Sequence, residues 1–163
     1  MENWLVLSAA VAILIAGCSG NGAVEPADEP SEAGAAIEVR VTGLRSDEGQ
    51  VLVSLFASPE GFPSSHEKAL RHQIAEPDQG SCTVVFEDVP TAPYAVSVLH
   101  DENGNSKLDT GLFGVPKEGY GVSMNPKPGM GPPSYDDAMF ALEGDRRSLE
   151  IKVMYLTGKG SGQ

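Results

Sequence analysis

The chain has 163 residues and a mass of 17.1 kDa, which is room for one domain and little more. With 23 Asp and Glu against 11 Lys and Arg it carries a formal charge of −12; no cation precedes Arg40 and no basic run follows it. Nucleic acid and anionic lipid both call for clustered cations, so neither is expected as an electrostatic partner. Its two cysteines, Cys18 and Cys82, could form at most one bridge, which rules out a disulfide scaffold.

Trp4 to Gly17 is an apolar run of 14 residues without a charge. A spanning helix needs about 20, so the run suits the apolar region of a signal peptide. It ends in Ile15-Ala16-Gly17-Cys18, which resembles the lipobox of bacterial lipoproteins. That resemblance implies cleavage before Cys18, a diacylglyceryl group on its sulfur and a further acyl chain on the new amino terminus. Two chains hold a protein stably on a membrane where one does not. The start, Met-Glu-Asn, departs from such signals in lacking Lys and Arg. An ordinary secretory signal, or a buried apolar helix, with an incidental Cys18 is the alternative. Ser19 after the cysteine resembles the pattern of lipoproteins sent on to the outer membrane, facing the periplasm or the cell surface.

The expected organisation is a signal peptide at 1–17, a lipidated Cys18 with an acidic tether to residue 36, a domain at 37–157 and a tail at 158–163. The tether carries Glu25, Asp28, Glu29 and Glu32 with only Val24 as a large apolar residue, too little to offset the entropy of ordering it. Setting its four acids and Glu2 aside leaves a domain charge of −7, from 18 acids against 11 bases.

From Ile37 the hydrophobic period is two. Ile37, Val39 and Val41 alternate with Glu38, Arg40 and Thr42, as in a half-buried strand, and the Arg45–Gly49 segment supplies a turn. Val51 to Phe56 is apolar on both alternations, as in a strand buried on both faces. A short helix is expected within 64–73, capped by Ser64 or Ser65. Cys82, Val84 and Phe86 make a third strand, and Tyr94, Val96 and Val98 a fourth after the turn Pro90–Pro93. Residues 138–142 and 149–155 make two more, joined by a hairpin turn at 143–146, and another is allowed for at 119–124. About seven short strands with turns between them predict an immunoglobulin-like β-sandwich. Cys82, on the Val84 and Phe86 face, is expected to pack as a small hydrophobe.

Residues 104–133 hold seven Gly and five Pro, and a long irregular loop of this kind in a small domain is usually functional or disordered. At its start, Asp101, Asn103, Asn105, Lys107 and Asp109 stand at alternate positions. Calcium takes six to eight hard oxygens, and alternate residues of a curled loop can aim at one centre, Lys107 through its backbone carbonyl. Leu108 matches the apolar residue that packs such a loop on its domain. The spacing resembles the first nine positions of EF-hand and dockerin-type calcium loops. It departs at the sixth position, Ser106 rather than Gly, and at the twelfth, Leu112 rather than a bidentate Glu. Glu118 and Asp136 are the candidates to complete the shell. Asx-turns without a metal would give the same residue pattern.

The string His100-Asp101-Glu102-Asn103-Gly104-Asn105, with Leu108-Asp109, Gly114-Val115-Pro116, Gly119-Tyr120-Gly121 and Pro133-Ser134-Tyr135-Asp136, resembles the signature of the bacterial "domain of unknown function 2141" family over about residues 37–156. The resemblance implies an exported single-domain β-sandwich and supplies no activity. Ala92-Pro93 before Tyr94 departs from the Gly usual there.

The expectation is therefore a non-enzymatic envelope protein, either a binding module with an ion-ordered loop or an accessory protein that docks on a partner without metal. Phe113, Tyr120, Met124, Met130 and Tyr135, if exposed, would suit a protein partner, and Tyr120 and Tyr135 are also candidate platforms for a glycan. The enzymatic alternative is a metal-dependent hydrolase using His100, Asp101 and Glu118. His100 falls on the core face of its strand, where a structural histidine is the plainer reading. His66 and His72 lack the spacing of a helical zinc pair.

Overall fold

The structure, a computed structural model, describes residues 34–111, 114–127, 129 and 131–156. Cys18, the segment 1–17, the tether to residue 33, Leu112, Phe113, Met130 and the tail from 157 lie outside the described residues.

The alternation from Ile37 forms β1 (Ala35–Thr42), with Ile37, Val39 and Val41 fully buried. It starts two residues earlier than the pattern suggested. Ala35 is opposite Val89, and the Ala36 N–H donates to Asp145 O at 2.9 Å. β2 (Gln50–Phe56) is buried from Val51 to Phe56, as its double alternation requires. β4 (Ser81–Val89), β5 (Pro93–Asp101) and β8 (Arg146–Lys152) follow the expected periods. β6 (Gly119–Val122) is the strand allowed for inside the Gly-rich region.

Two segments differ from expectation. Residues 64–73 form only a 3-10 turn at His66–Lys68, and the chain continues as β3 (Arg71–Ala75). The Leu70 N–H donates to Leu55 O, and Leu55 stands opposite Arg71, so pairing with β2 takes the backbone groups that a helix would use. The segment 143–146 is not a hairpin turn. Residues Tyr135–Ala138 form one helical turn, α1, and Phe140–Ala141 form β7, which pairs with β5, whereas β8 pairs with β1 in the other sheet. The turn carries the chain between sheets.

The architecture is an all-β sandwich of eight strands. One sheet has the order β4-β1-β8, with β1 antiparallel to β4 and parallel to β8. The other has the order β3-β2-β5-β6, with β7 beside the start of β5, and is antiparallel throughout. Residues Ala33–Gln163 make up one compact unit containing both sheets. Between the sheets Phe86, Ile37, Leu55 and Ile151 are fully buried, each stabilising by about 1.5–3 kcal/mol relative to exposure. Tyr94 Oη donates to Pro90 O at 2.8 Å, the tyrosine corner of immunoglobulin-like sandwiches. Cys82 is half-buried and packs against this core.

The large sheet also has an apolar outer face. A second cluster of Phe56, Ala95, Val122, Tyr135 and Ala138, with Phe62 and Ala69 against it, covers one part of that face. Strand direction sets the two ends of the sandwich. Ala35, Val89 and Pro93 lie at one end; the 43–49 turn and the loop after Asp101, which stands opposite Gln50, lie at the other.

Candidate functional site

β5 ends at Asp101, and the next eight residues curl back on its carboxylate. Asp101 Oδ1 accepts from the amides of Gly104 (2.8 Å) and Asn105 (3.1 Å). Oδ2 accepts from the Ser106 amide (2.6 Å) and from Gln50 Nε2 (2.8 Å). The side chain is fully buried. Burial opposes its charged form, but the hydrogen bonds from Gln50, Ser106, Asn105 and Gly104 together hold the carboxyl below its ordinary value. Gly104 has φ +74°, and Ser106 at the sixth position itself takes a left-handed φ of +58°. The sharp turn that a glycine was expected to make is thus made by a serine, at about 1–2 kcal/mol of local cost.

The remaining positions interlock. The Asn105 amide donates to Asn103 Oδ1 at 3.0 Å, and the Lys107 amide donates to Asn105 Oδ1 at 2.7 Å. Asn103 Nδ2 and Asn105 Nδ2 donate to the two carboxylate oxygens of Asp109, at 2.5 and 3.2 Å. Asp101 therefore gathers the loop's amides, Asn103 and Asn105 turn their Nδ2 groups to Asp109, and Lys107 takes part through its N–H rather than through the carbonyl that a calcium loop would use. Leu108 is half-buried, as its position requires.

Glu118 joins this loop. Its Oε2 accepts from the Asp109 amide at 2.9 Å, and the Lys117 amide donates to Asp109 O at 2.8 Å. The residue is 4% exposed, and its Oε1 is buried without a hydrogen-bonding partner among the described residues. Burial pushes the Glu118 carboxyl above its ordinary value, and the charges of Asp101 and Asp109 add to this. The backbone N–H dipoles of Asp109 and, more weakly, Glu102 oppose it. Asp136, the other candidate, belongs to α1, whose Tyr135 hydroxyl reaches Pro93 O. That is the far end of β5, eight residues or about 26 Å from Asp101. Among the described residues no three or more His, Cys, Asp or Glu side chains are arranged to hold a metal ion by themselves. An ion here would draw on Asn and carbonyl oxygens as well as on carboxylates.

His100 points the other way, into the core face, and is fully buried. Its Nε2 lies 3.0 Å from Glu48 O, which can only accept, so Nε2 carries the proton. Nδ1 then accepts from Tyr155 Oη at 2.6 Å, and Tyr155 Oη in turn accepts from the Arg45 amide at 3.1 Å. Both ring nitrogens are occupied. His100 and Asp101 are successive strand residues on opposite faces, so the trio His100, Asp101 and Glu118 does not form one hydrolytic centre. The Arg45 guanidinium lies 4.5 Å over the Tyr155 ring and donates to both carboxylate oxygens of Glu102, the first through Nε at 3.0 Å. Ser46 Oγ also donates to Glu102, at 2.9 Å.

Gly49 lets the two loops meet. At φ +74°, a Cβ there would lie 2.2 Å from Asp101 O. Gly119 does the same for β6, where a Cβ would come within 2.4 Å of the Tyr155 ring.

Among the aromatic and Met candidates, Tyr135 is tucked into the second cluster at 9% exposure and is no glycan platform. Tyr120 is half-buried and Met124 is exposed. Gln50, the donor that orients Asp101, was not anticipated, because a lone Gln at a strand start carries no spacing signal.

A family model matches residues 39–150 and is described as an uncharacterized protein conserved in bacteria, DUF2141. No curated protein and no solved structure matches the chain.

Proposed function

We propose, on the premise that the chain belongs to the DUF2141 family of bacterial proteins, that it works as a non-enzymatic binding or accessory module of the cell envelope. In this reading Cys18 carries lipid and holds the module on a membrane, facing the periplasm or the cell surface. Its 101–109 loop is ordered by calcium. Asp101, Asn103, Asn105 and Asp109 offer side-chain oxygens, Lys107 its carbonyl, and Glu118 takes the place that Leu112 leaves open at the twelfth position.

The observation that carries the calcium reading is the orphan Oε1 of Glu118. A buried carboxylate oxygen beside Asp101 and Asp109 is costly without a donor or a cation, and a divalent ion would relieve the desolvation and the repulsion together. With carboxylates, amide oxygens and a carbonyl in the set, a hard cation is favoured over zinc or copper.

One observation favours the metal-free alternative. Asp101 already accepts four hydrogen bonds, so the loop has a framework without any ion.

Thermal melts of the Ala33–Gln163 chain in chelator and in millimolar calcium decide between them. At 100 times its dissociation constant an ion bound only by the folded state adds about 2.7 kcal/mol, a rise of several degrees. Asp109→Ala and Glu118→Gln should each lose that rise whatever their baseline melting temperature. Coincident wild-type melts would refute the calcium reading and leave the loop as a set of turns. For the anchor, Cys18→Ser should move the full-length protein from the membrane fraction to the soluble fraction; unchanged fractionation would refute it.

A further inference from the structure

The outer face of the large sheet is apolar beyond what its second cluster covers. Strand register puts Leu52 beside Leu99 and Leu99 beside Tyr120 in one cross-strand row, and Ser54 beside Ser97 and Ser97 beside Val122 in the next. Above these rows lies a cavity of about 510 Å³, within the roughly 300–1,000 Å³ of small-molecule sites. Leu108 comes to it from the end of the 101–109 loop, and Pro132 from the segment before α1.

Two properties of the lining restrict what it can hold. No Asp, Glu, Lys or Arg is among the described residues that line it, although the domain carries a charge of −7. At its floor Ser54 and Ser97 line the cavity and are 2% and 7% exposed as residues; their hydroxyls make no side-chain hydrogen bond among the described residues and open onto the cavity rather than being sealed in protein. A hydroxyl that opens onto a cavity takes its hydrogen bond from whatever fills that cavity, water or ligand. Two adjacent central strands placing unpaired hydroxyls side by side beneath an apolar chamber is the layout of a ligand site, where few polar groups fix the orientation and apolar walls supply the affinity.

We propose that this cavity binds an uncharged, mostly apolar small molecule that presents one hydroxyl or carbonyl group to Ser54 and Ser97. Leu52, Leu99, Leu108 and Tyr120 wall its apolar part. An anionic head would be desolvated with no Lys or Arg to meet it and only His66, at the edge formed by the 63–66 segment, as an imidazole in the lining. A sugar would leave most of its hydroxyls against leucine and proline. The site gives the binding module a ligand class and does not require calcium at the neighbouring loop.

The test titrates the Ala33–Gln163 chain with N-phenyl-1-naphthylamine, an uncharged aromatic amine whose emission rises on leaving water, in chelator and again in millimolar calcium. Saturable one-site binding is expected in both. Decan-1-ol should displace the probe, and decanoate, the same chain with a carboxylate, should be at least tenfold weaker. Ser97→Leu, which fills the floor, should abolish probe binding. In case that variant does not fold, amide shifts of the wild-type chain on adding decan-1-ol should concentrate at residues 52, 54, 97, 99 and 120. A linear emission rise without saturation, decanoate equal to decan-1-ol, or shifts centred elsewhere would overturn the proposal. Probe binding with coincident calcium melts would sink the calcium reading alone.

Discussion

Gly49→Ala is the substitution whose cost can be worked most directly from the geometry. Gly49 has φ +74°, and the added methyl would lie 2.2 Å from Asp101 O and 2.6 Å from Glu102 Cα. Those are backbone atoms, so no side chain can swing aside to make room. The left-handed conformation costs a residue with a Cβ about 1–2 kcal/mol, and forcing backbone apart adds about 1–3 kcal/mol, as in overpacked cores. The sum is about 2–5 kcal/mol, or a fall of about 8–20 °C at roughly 4 °C per kcal/mol for a domain of this size. Gly104 supplies the control. It has the same φ of +74° but nothing within 4 Å of its Cβ. Gly104→Ala should therefore lose only the conformational part, about 1–2 kcal/mol or about 4–8 °C. Calorimetric melts of wild type and both variants, in chelator, give the comparison. If Gly49→Ala melts with Gly104→Ala or above it, the close approach of the 43–49 turn to Asp101 is wrong.

Tyr155→Phe keeps the ring that carries Arg45 and removes the hydroxyl shared by His100 Nδ1 and the Arg45 amide. It should lower stability in urea by about 1–3 kcal/mol; no change would mean that water replaces the hydroxyl. Asp101→Asn, in chelator, should be destabilised at pH 7 and approach wild type in acid. The folded-state value of this carboxyl is depressed, so its stabilisation is present above the unfolded value of about 3.9 and is lost as pH falls through the folded one. A gap that stays constant from pH 7 to pH 2 would contradict that assignment. Burial pushes the Cys82 thiol up, so iodoacetamide at pH 8 should label it at least tenfold more slowly in the folded chain than in urea, read from the Cys82 peptide by mass spectrometry. Equal rates would show the thiol to be open to solvent.

Most of the sandwich was legible because burial on one face writes a period of two into the sequence. Ile37, Val39 and Val41 announce β1, and the double alternation of Val51–Phe56 announces a strand covered on both sides. β3 was missed because its residues, Arg71 to Ile74, are all exposed and its pairing to β2 is made through the backbone. The supposed hairpin at 143–146 failed for a different reason. Two strands joined by a short turn read alike whether they pair with each other or go to separate sheets, and only long-range register separates the cases. In the loop, the Asp and Asn residues at alternate positions do form a curl, held by amide bonds to Asp101 and by Asn103 and Asn105 on Asp109. Gln50 and Glu118 escaped the pattern or stood open in it, since each reaches the loop by tertiary folding. The serine pair was least legible: Ser54 and Ser97 are 43 positions apart, and only the strand register makes them neighbours.

The place of β1 between β4 and β8 has a kinetic consequence. Glu38 and Arg146, 108 residues apart, are ion-paired along the parallel seam that β1 makes with β8. The three-stranded sheet therefore cannot close until nearly the whole domain has left the ribosome, and pairings of such long range slow folding toward milliseconds or seconds. A chain halted before Arg146 would leave one side of β1 bare over its full length, an unpaired edge apt to recruit strands from other molecules. Completing this fold and protecting its first strand are the same late event.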